Sequence, residues 1–321
     1  MVSKGGYLCI VYVSEGVRSA VISRLQHIAA TSSPLTLCAH SFVDEPYNRT
    51  SFYLLSRSRR ALISAALAVS RSAFEAVDFR LHRGTHPTLG AVDHVCFSPL
   101  GSGSVGDSSG PIDQAAAAAL GRDFGRALHE QEAVSVYFYG AASAGAEQGA
   151  PRALKDVRRE LGYFEQGGIA GAERADALWA LMANAAPDLG GGGAGEDASG
   201  FVRRGLTCVG VVPLVRNFNV RFGPGAAKPL VAQVTRHLRE PGCVEALTLP
   251  WRDRFEVACN LRSHAPEHSP EALLHRAVEL SAPLGLSIEE HYCTGPGVAD
   301  LLQLLQDRED SGALPVADDE A

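Results

Sequence analysis

No long basic run interrupts this chain, and its 29 lysines and arginines are outnumbered by 36 aspartates and glutamates, for a net charge of -7. A phosphate backbone therefore meets no broad electrostatic footprint, so nucleic acid is not an expected partner, although one locally basic cleft could still serve a small anion. Paired-cysteine spacing is also absent. The seven cysteines, Cys9, Cys38, Cys96, Cys208, Cys243, Cys259 and Cys293, are odd in number, contain no C-x-x-C, and fall mostly in apolar strand-like runs. They read as reduced, buried thiols, not as a disulfide or metal framework. No apolar span of ~20 residues is present, and the first residues enter a strand pattern without a charged leader and cleavage site. These absences predict a soluble cytoplasmic protein with no membrane partner.

What is present is ordinary globular composition, 46% hydrophobic and 20% charged, so nearly the whole chain is expected to fold. A chain of 321 residues exceeds one average core, and two modules of about 100 to 200 residues are the natural expectation. The short apolar run Tyr7 to Val13 reads as a buried strand. Ser14 is expected to cap a following helix that carries Val17, Ala20, Val21, Leu25 and Ile28 at helical spacing, with Glu15 in its first turn. Strand-like runs around Leu35 to Phe42 and Ser51 to Leu55 and an Ala-rich helix from about Ser58 to Val77 give βαββα. Pro111 stands at a helix-opening position, and Val134 to Tyr139 reads as the next strand.

Residues 187–200, PDLGGGGAGEDASG, have no apolar periodicity and divide the chain into modules 1–186 and 201–308. The segment is either a surface insertion or a mobile flap over a site. Strands at Leu206 to Val212 and Arg216 to Arg221, a helix opened by Pro229, and paired strands at Cys243 to Leu249 and Phe255 to Leu261 follow. A helix signalled by Ser269-Pro270-Glu271, a strand at Leu286 to Tyr292 and a last helix at Val298 to Leu305 complete the second module. Residues 309–321 form an acidic tail expected to be disordered. The fold class is α/β (α+β): two sequential open-sheet subdomains with helices packed on the sheets.

Leu81 to Phe97, LHRGTHPTLGAVDHVCF, is the segment richest in chemistry. His86 precedes a proline, which pushes it into extended backbone and fixes the direction of its imidazole. Histidine titrates near neutrality and suits proton transfer in a cleft, and Asp93 could orient it or a ligand amine. A hydrogen-bonded loop histidine is the alternative. Zinc finds no H-E-x-x-H or clustered Cys/His spacing, so no metal is expected.

The stretch THPTLGAVDHVCFSPL resembles the H-P-x-x-G-x-x-D signature of formiminotransferase domains. Further matches occur in family order: Val13-Ser14-Glu15-Gly16, Asn48-Arg49-Thr50, Val136 to Ala142, Gly205 to Gly210, and Phe218-Asn219-Val220. The resemblance implies two α/β subdomains with a folate tunnel between them, a homodimer, and tetrahydrofolate as co-substrate. It also implies transfer of a formimino or formyl group between a glutamate-type donor and N5 of tetrahydrofolate, with His86 as general base. Asn48, Arg49, Thr50, His82, Asp93, Tyr139, Gly140, Asp188, Gly190, Phe201, Arg203, Arg204, Gly205 and Asn219 are carried over as substrate- or folate-binding positions. Arg203 and Arg204 either attract a folate carboxylate or form a solvated basic pair; Asn219 and Asn260 either bond a pterin or end strands.

The departures are specific. Tyr12 stands where the family has an Asn, His40 to Val43 replaces an acidic pair, and Thr88 replaces an Arg after H-P, removing a bidentate carboxylate clamp. A folate-binding protein that has lost glutamate transfer is therefore the alternative reading.

Overall fold

The computed structural model describes residues 5–101, 114–165, 171–182, 185–190 and 202–315, which form two compact units dividing between Val212 and Pro213. The first is built on β1 (Gly6–Val13), whose apolar run is hydrogen-bonded on both edges. It pairs antiparallel with β3 (Arg49–Ser56) on one side and β4 (Val92–Leu100) on the other. β2 (Leu37–Asp44) adds antiparallel to β3; β6 (Leu206–Val211) and β5 (Ser135–Gly140) add in parallel beyond β4. The sheet order is β2-β3-β1-β4-β6-β5.

Strand alternation sends side chains to two faces. Cys9, Val11, Val13, Phe52, Leu54, Phe97, Val209 and Val211 pack with residues of α1 (Ser19–Thr31), α2 (Arg59–Ala76) and α3 (Gln114–Glu132). A second cluster joins Tyr137, Tyr139, Leu206 and Cys208 to Phe79, Val157 of α4 (Leu154–Glu160), Tyr163, and Leu178 and Met182 of α5 (Gly171–Met182). Gly210 lies opposite Tyr139 in the β5–β6 register, and a Cβ there would fall inside the tyrosine ring. Glycine at this position lets the ring lie flat over the strand.

The start of α1 differs from expectation. Ser14 turns inward, its hydroxyl bonding Thr88 and the Gly90 carbonyl at 2.7 Å each. The Glu15 carboxylate accepts from the amides of Val17 and Arg18 at 2.9 and 2.8 Å just ahead of the helix, which starts at Ser19 with no side-chain cap. The helix of Ser58 matches its signal, with the serine hydroxyl accepting from Ala61 N. Pro111 and the Gly-rich 191–200 lie outside the described residues. On the near side of that stretch, Leu189 bridges to Val136 at the free edge of β5.

The second unit carries the antiparallel sheet β10-β7-β9-β8, built from β7 (Arg216–Phe222), β8 (Val244–Trp251), β9 (Arg254–Leu261) and β10 (Ile288–Cys293). Its apolar face (Phe218, Val220, Phe222, Val257, Cys259) packs with Val231, Val234 and Leu238 of α6 (Lys228–Leu238) and Leu273 of α7 (Pro270–Ser281). The alternate β7 positions Asn217, Asn219 and Arg221 are polar. Helix α8 (Val298–Asp310) returns to the first unit, where Glu309 pairs with Arg57 at 2.6 Å with both side chains largely buried. The tail continues past that pair, with the helix running to Asp310 and buried Leu314 donating its amide to the Arg308 carbonyl at 2.9 Å, and residues 316–321 lie outside the described residues. Among the described residues no helix is long and apolar enough to cross a membrane.

Candidate active site

The site forms where β1 ends, β3 begins and the 82–91 loop crosses to β4. The loop is fixed from several sides. Asp93 accepts the Leu89 amide at 2.9 Å, Ala91 N donates to the Arg204 carbonyl at 2.7 Å, and Ser14 N donates to the Ala91 carbonyl at 2.8 Å. Asn48 braces its outer side from a left-handed backbone (φ 50°), accepting from Gly16 N at 2.7 Å and donating to the Arg83 carbonyl at 2.8 Å. Asparagine tolerates that conformation better than most residues. The Thr50 hydroxyl donates to the Glu15 carbonyl at 2.5 Å.

This frame places His86 among aromatic rings and a guanidinium. Its ring centroid is 5.3 Å from that of Tyr47 and 6.2 Å from that of Tyr163. Nδ1 lies 2.7 Å from the Pro87 carbonyl and 3.1 Å from Arg49 Nη1. One nitrogen cannot both donate to the carbonyl and accept from the guanidinium; the shorter contact decides, so Nδ1 donates to the Pro87 carbonyl, Nε2 carries the lone pair, and the 3.1 Å approach of Arg49 is a charge contact and not a hydrogen bond. Burial, then the neighbouring Arg49 charge, pushes the His86 pKa down to about 3, so the ring is neutral at physiological pH.

Asp93 anchors the charge. It is 1% exposed and lies 3.0 Å from Arg49 and 3.1 Å from Arg158. Burial alone would raise its pKa, but Arg49 first and Arg158 with it hold the carboxyl well below the usual range. His94 stacks on Tyr12 with ring centroids 4.0 Å apart, and its Nδ1 lies 3.2 Å from both Arg49 and Arg158. Guanidinium nitrogens only donate, so Nδ1 accepts and the 3.5 Å approach to Asp93 is not a hydrogen bond from it. Burial first, and the arginines after it, bring the His94 pKa to about 3. Arg49 also covers the Tyr12 ring at 4.7 Å, and Arg158 the Tyr163 ring at 4.3 Å. With both histidines neutral, two guanidiniums face one carboxylate, leaving a surplus of one positive charge.

The structure brings Arg49, His86 and Asp93 together, with the buried Tyr139 ring 6.5 Å from that of His94. His82 is buried beneath the loop, its Nδ1 3.1 Å from the Ser14 carbonyl and its ring against Phe79. Gly140 (φ +60°) ends β5, and Gly205 (φ +70°) lies so close to Leu89 and Gly90 that a side chain would collide with their backbone. Asp188 accepts the Phe138 amide at 2.6 Å and is followed by Gly190 (φ +82°). Arg203 donates to the Glu75 carbonyl at the surface, Arg204 offers its carbonyl to Ala91, and Phe201 lies outside the described residues. Asn219 belongs to the second unit, donating to Glu256 at 2.8 Å and to the Tyr292 hydroxyl at 3.2 Å. Asn260 there accepts from Asn217 at 2.6 Å.

Sequence reasoning did not find Arg158. It lies on the seven-residue α4, too short for periodicity to announce, and one of two adjacent arginines in a charged run gives no sign of which points inward. Its Nε is buried without a partner among the described residues. Tyr163, on the next turn, was missed for the same reason.

Comparison with known proteins gives a consistent family. The description "Formiminotransferase domain, N-terminal subdomain" matches residues 7–211, which include every residue of this cluster. A "Formiminotransferase cyclodeaminase-like protein" from Arabidopsis thaliana is 30% identical over 262 residues, covering 79% of this chain and 80% of that protein. "Formimidoyltransferase-cyclodeaminase" of Gallus gallus is 30% identical over 150 residues, 47% of this chain but only 25% of that longer protein. "Glutamate formimidoyltransferase" of Streptococcus pyogenes serotype M1 is 35% identical over 92 residues, 29% of this chain and 30% of that protein.

Proposed function

The chain belongs to the formiminotransferase domain family, and from that premise we propose that it moves a formimino or formyl group between a glutamate-type donor and N5 of tetrahydrofolate. The observation that carries the reading is the neutral His86, directed by the Pro87 carbonyl and flanked by the Arg49–Asp93–Arg158 cluster. His86 Nε2 takes the N5 proton as N5 attacks the transferred carbon. The resulting tetrahedral adduct collapses when the same imidazolium returns the proton to the departing amine. Holding both amines in line supplies the larger part of the acceleration, since oriented reactants gain roughly 7 to 11 kcal/mol.

The surplus positive charge supports an anionic donor. Arg49 is the residue poised to change partners. When a donor carboxylate draws Arg49 toward itself, the cation next to His86 is neutralised and the histidine becomes more basic, closer to the range in which proton transfer is efficient. Arg158, stacked on Tyr163, keeps Asp93 ionised meanwhile. Thr88, which stands in place of a family arginine, is occupied by Ser14 and contributes no charge, so Arg49 and Arg158 carry donor recognition.

The test is equilibrium binding of tetrahydrofolate and 5-formyltetrahydrofolate, followed by turnover with formiminoglutamate. Binding with turnover is the expected result. Folate binding without turnover of any formimino or formyl donor would replace this reading with that of a folate-binding protein lacking transfer.

A further inference from the structure

The second unit holds a cluster that the folate reading does not use. Glu240-Pro241-Gly242-Cys243 is a tight turn leading into β8. Cys243 N donates to the Glu240 carbonyl at 3.0 Å and Gly242 has φ +80°, the backbone of a type II turn with proline second and glycine third. Such a turn brings its first and fourth residues to the same place. The third member comes from a separate element: His268 ends the 3-10 turn Pro266–His268, just ahead of α7, and is buried. One carboxylate oxygen of Glu240, Sγ of Cys243 and one ring nitrogen of His268 all lie within 4.8 Å of one another.

We infer that Glu240, Cys243 and His268 form a mononuclear site for a thiophilic divalent cation, zinc by the chemistry of the donors. Thiolate, imidazole and carboxylate together favour a borderline-soft ion over magnesium or calcium. Donors bound at about 2.0 to 2.3 Å around a tetrahedral metal stand roughly 3.3 to 3.7 Å apart, so the cluster reaches bonding geometry by small side-chain rotations. The Nε2–Glu240 separation is already 3.0 Å. Supporting partners are in place as well. His268 Nδ1 lies 2.9 Å from the Ser263 hydroxyl, which fixes the ring so that Nε2 faces the cluster. Arg276 Nη1 lies 3.4 Å from Glu240 Oε2, leaving Oε1 to bind. Metal-bound histidines and carboxylates are oriented by partners of this kind.

Charge balances too, since a thiolate and a carboxylate neutralise a dication; binding releases the Cys243 thiol proton to solvent, while neutral His268 binds through the Nε2 lone pair and keeps its proton on Nδ1, facing Ser263. Glu240 and Cys243 are only half-buried, so water completes the shell. The metal would clip the turn between α6 and β8 to the start of α7. The cluster escapes sequence inspection because E-x-x-C is not a recognised metal spacing and its histidine lies 25 residues further along.

Cobalt titration of the chelator-stripped full chain tests this, with the thiolate-to-cobalt charge-transfer band as readout and zinc as competitor. About one equivalent should bind, zinc should displace it, and the band should vanish in Cys243→Ser. Ser263→Ala should weaken binding by ~10- to 100-fold. Absence of cobalt binding, or a band unchanged in Cys243→Ser, would show that the trio is only a metal-free His–Glu clamp. Should Cys243→Ser fail to fold, Glu240→Gln, half-exposed, decides: undiminished affinity there overturns the site. None of these readouts depends on folate chemistry.

Discussion

At the scale of single residues, the cluster around Asp93 makes stability depend on pH in a definite direction. His86 and His94 have pKa values of about 3 against an ordinary 6.5, so between those limits the unfolded chain binds more protons than the folded one. Stability is therefore full above about pH 6.5 and is lost progressively as pH falls toward 3. Denaturant unfolding followed from pH 7.5 to 4.5 should show this decline. His94→Asn, which removes one such group, should make the slope shallower; an unaltered slope would mean that His94 takes up its proton as readily in the folded chain as in the unfolded one. Arg158→Gln should destabilise by about 1 to 3 kcal/mol, because Asp93 keeps Arg49 but loses one of two charged partners in a buried setting. Chemical denaturation checks that value, and a change below about 0.5 kcal/mol would place Arg158 outside the cluster.

Elements were legible to the degree that their own residues specify them. β1, α2 and α7 carried complete signals, and they stand where the pattern put them. Ser14 did not cap α1, because its hydroxyl is taken by Thr88 and the Gly90 carbonyl and the helix itself starts only at Ser19. Segment 81–97 was readable as chemistry because proline, glycine and three histidines cluster there. Its electrostatics were not readable, since Arg49 and Arg158 arrive from 44 residues before and 65 residues after Asp93. Packing of β5 against β6 makes its own prediction. Gly210→Ala should cost about 1 to 3 kcal/mol by forcing the Tyr139 ring off its strand, measurable by thermal or chemical unfolding. Retained stability would mean that the ring can move freely, contrary to its nearly complete burial.

For the molecule as a whole, two α/β modules were expected and two compact units are found, but the division falls at Val212/Pro213, after β6. Composition drew attention to the Gly-rich 187–200 stretch, whereas strand pairing decides: β6 lies between β4 and β5, so the first sheet reaches beyond that stretch. Helix α8 was visible in sequence, but its return to the first unit through Arg57–Glu309 was not, since the partners are 252 residues apart. The proposed function assigns the base to one residue of the first unit, and the most direct test is His86→Ala, comparing formimino turnover with tetrahydrofolate affinity in the same preparation. The account predicts a ~100- to 10,000-fold loss of turnover with folate affinity nearly intact, while His82→Ala, if folded, retains measurable turnover. Undiminished turnover in His86→Ala, or its abolition by His82→Ala alone, would contradict the assignment of His86 as the base.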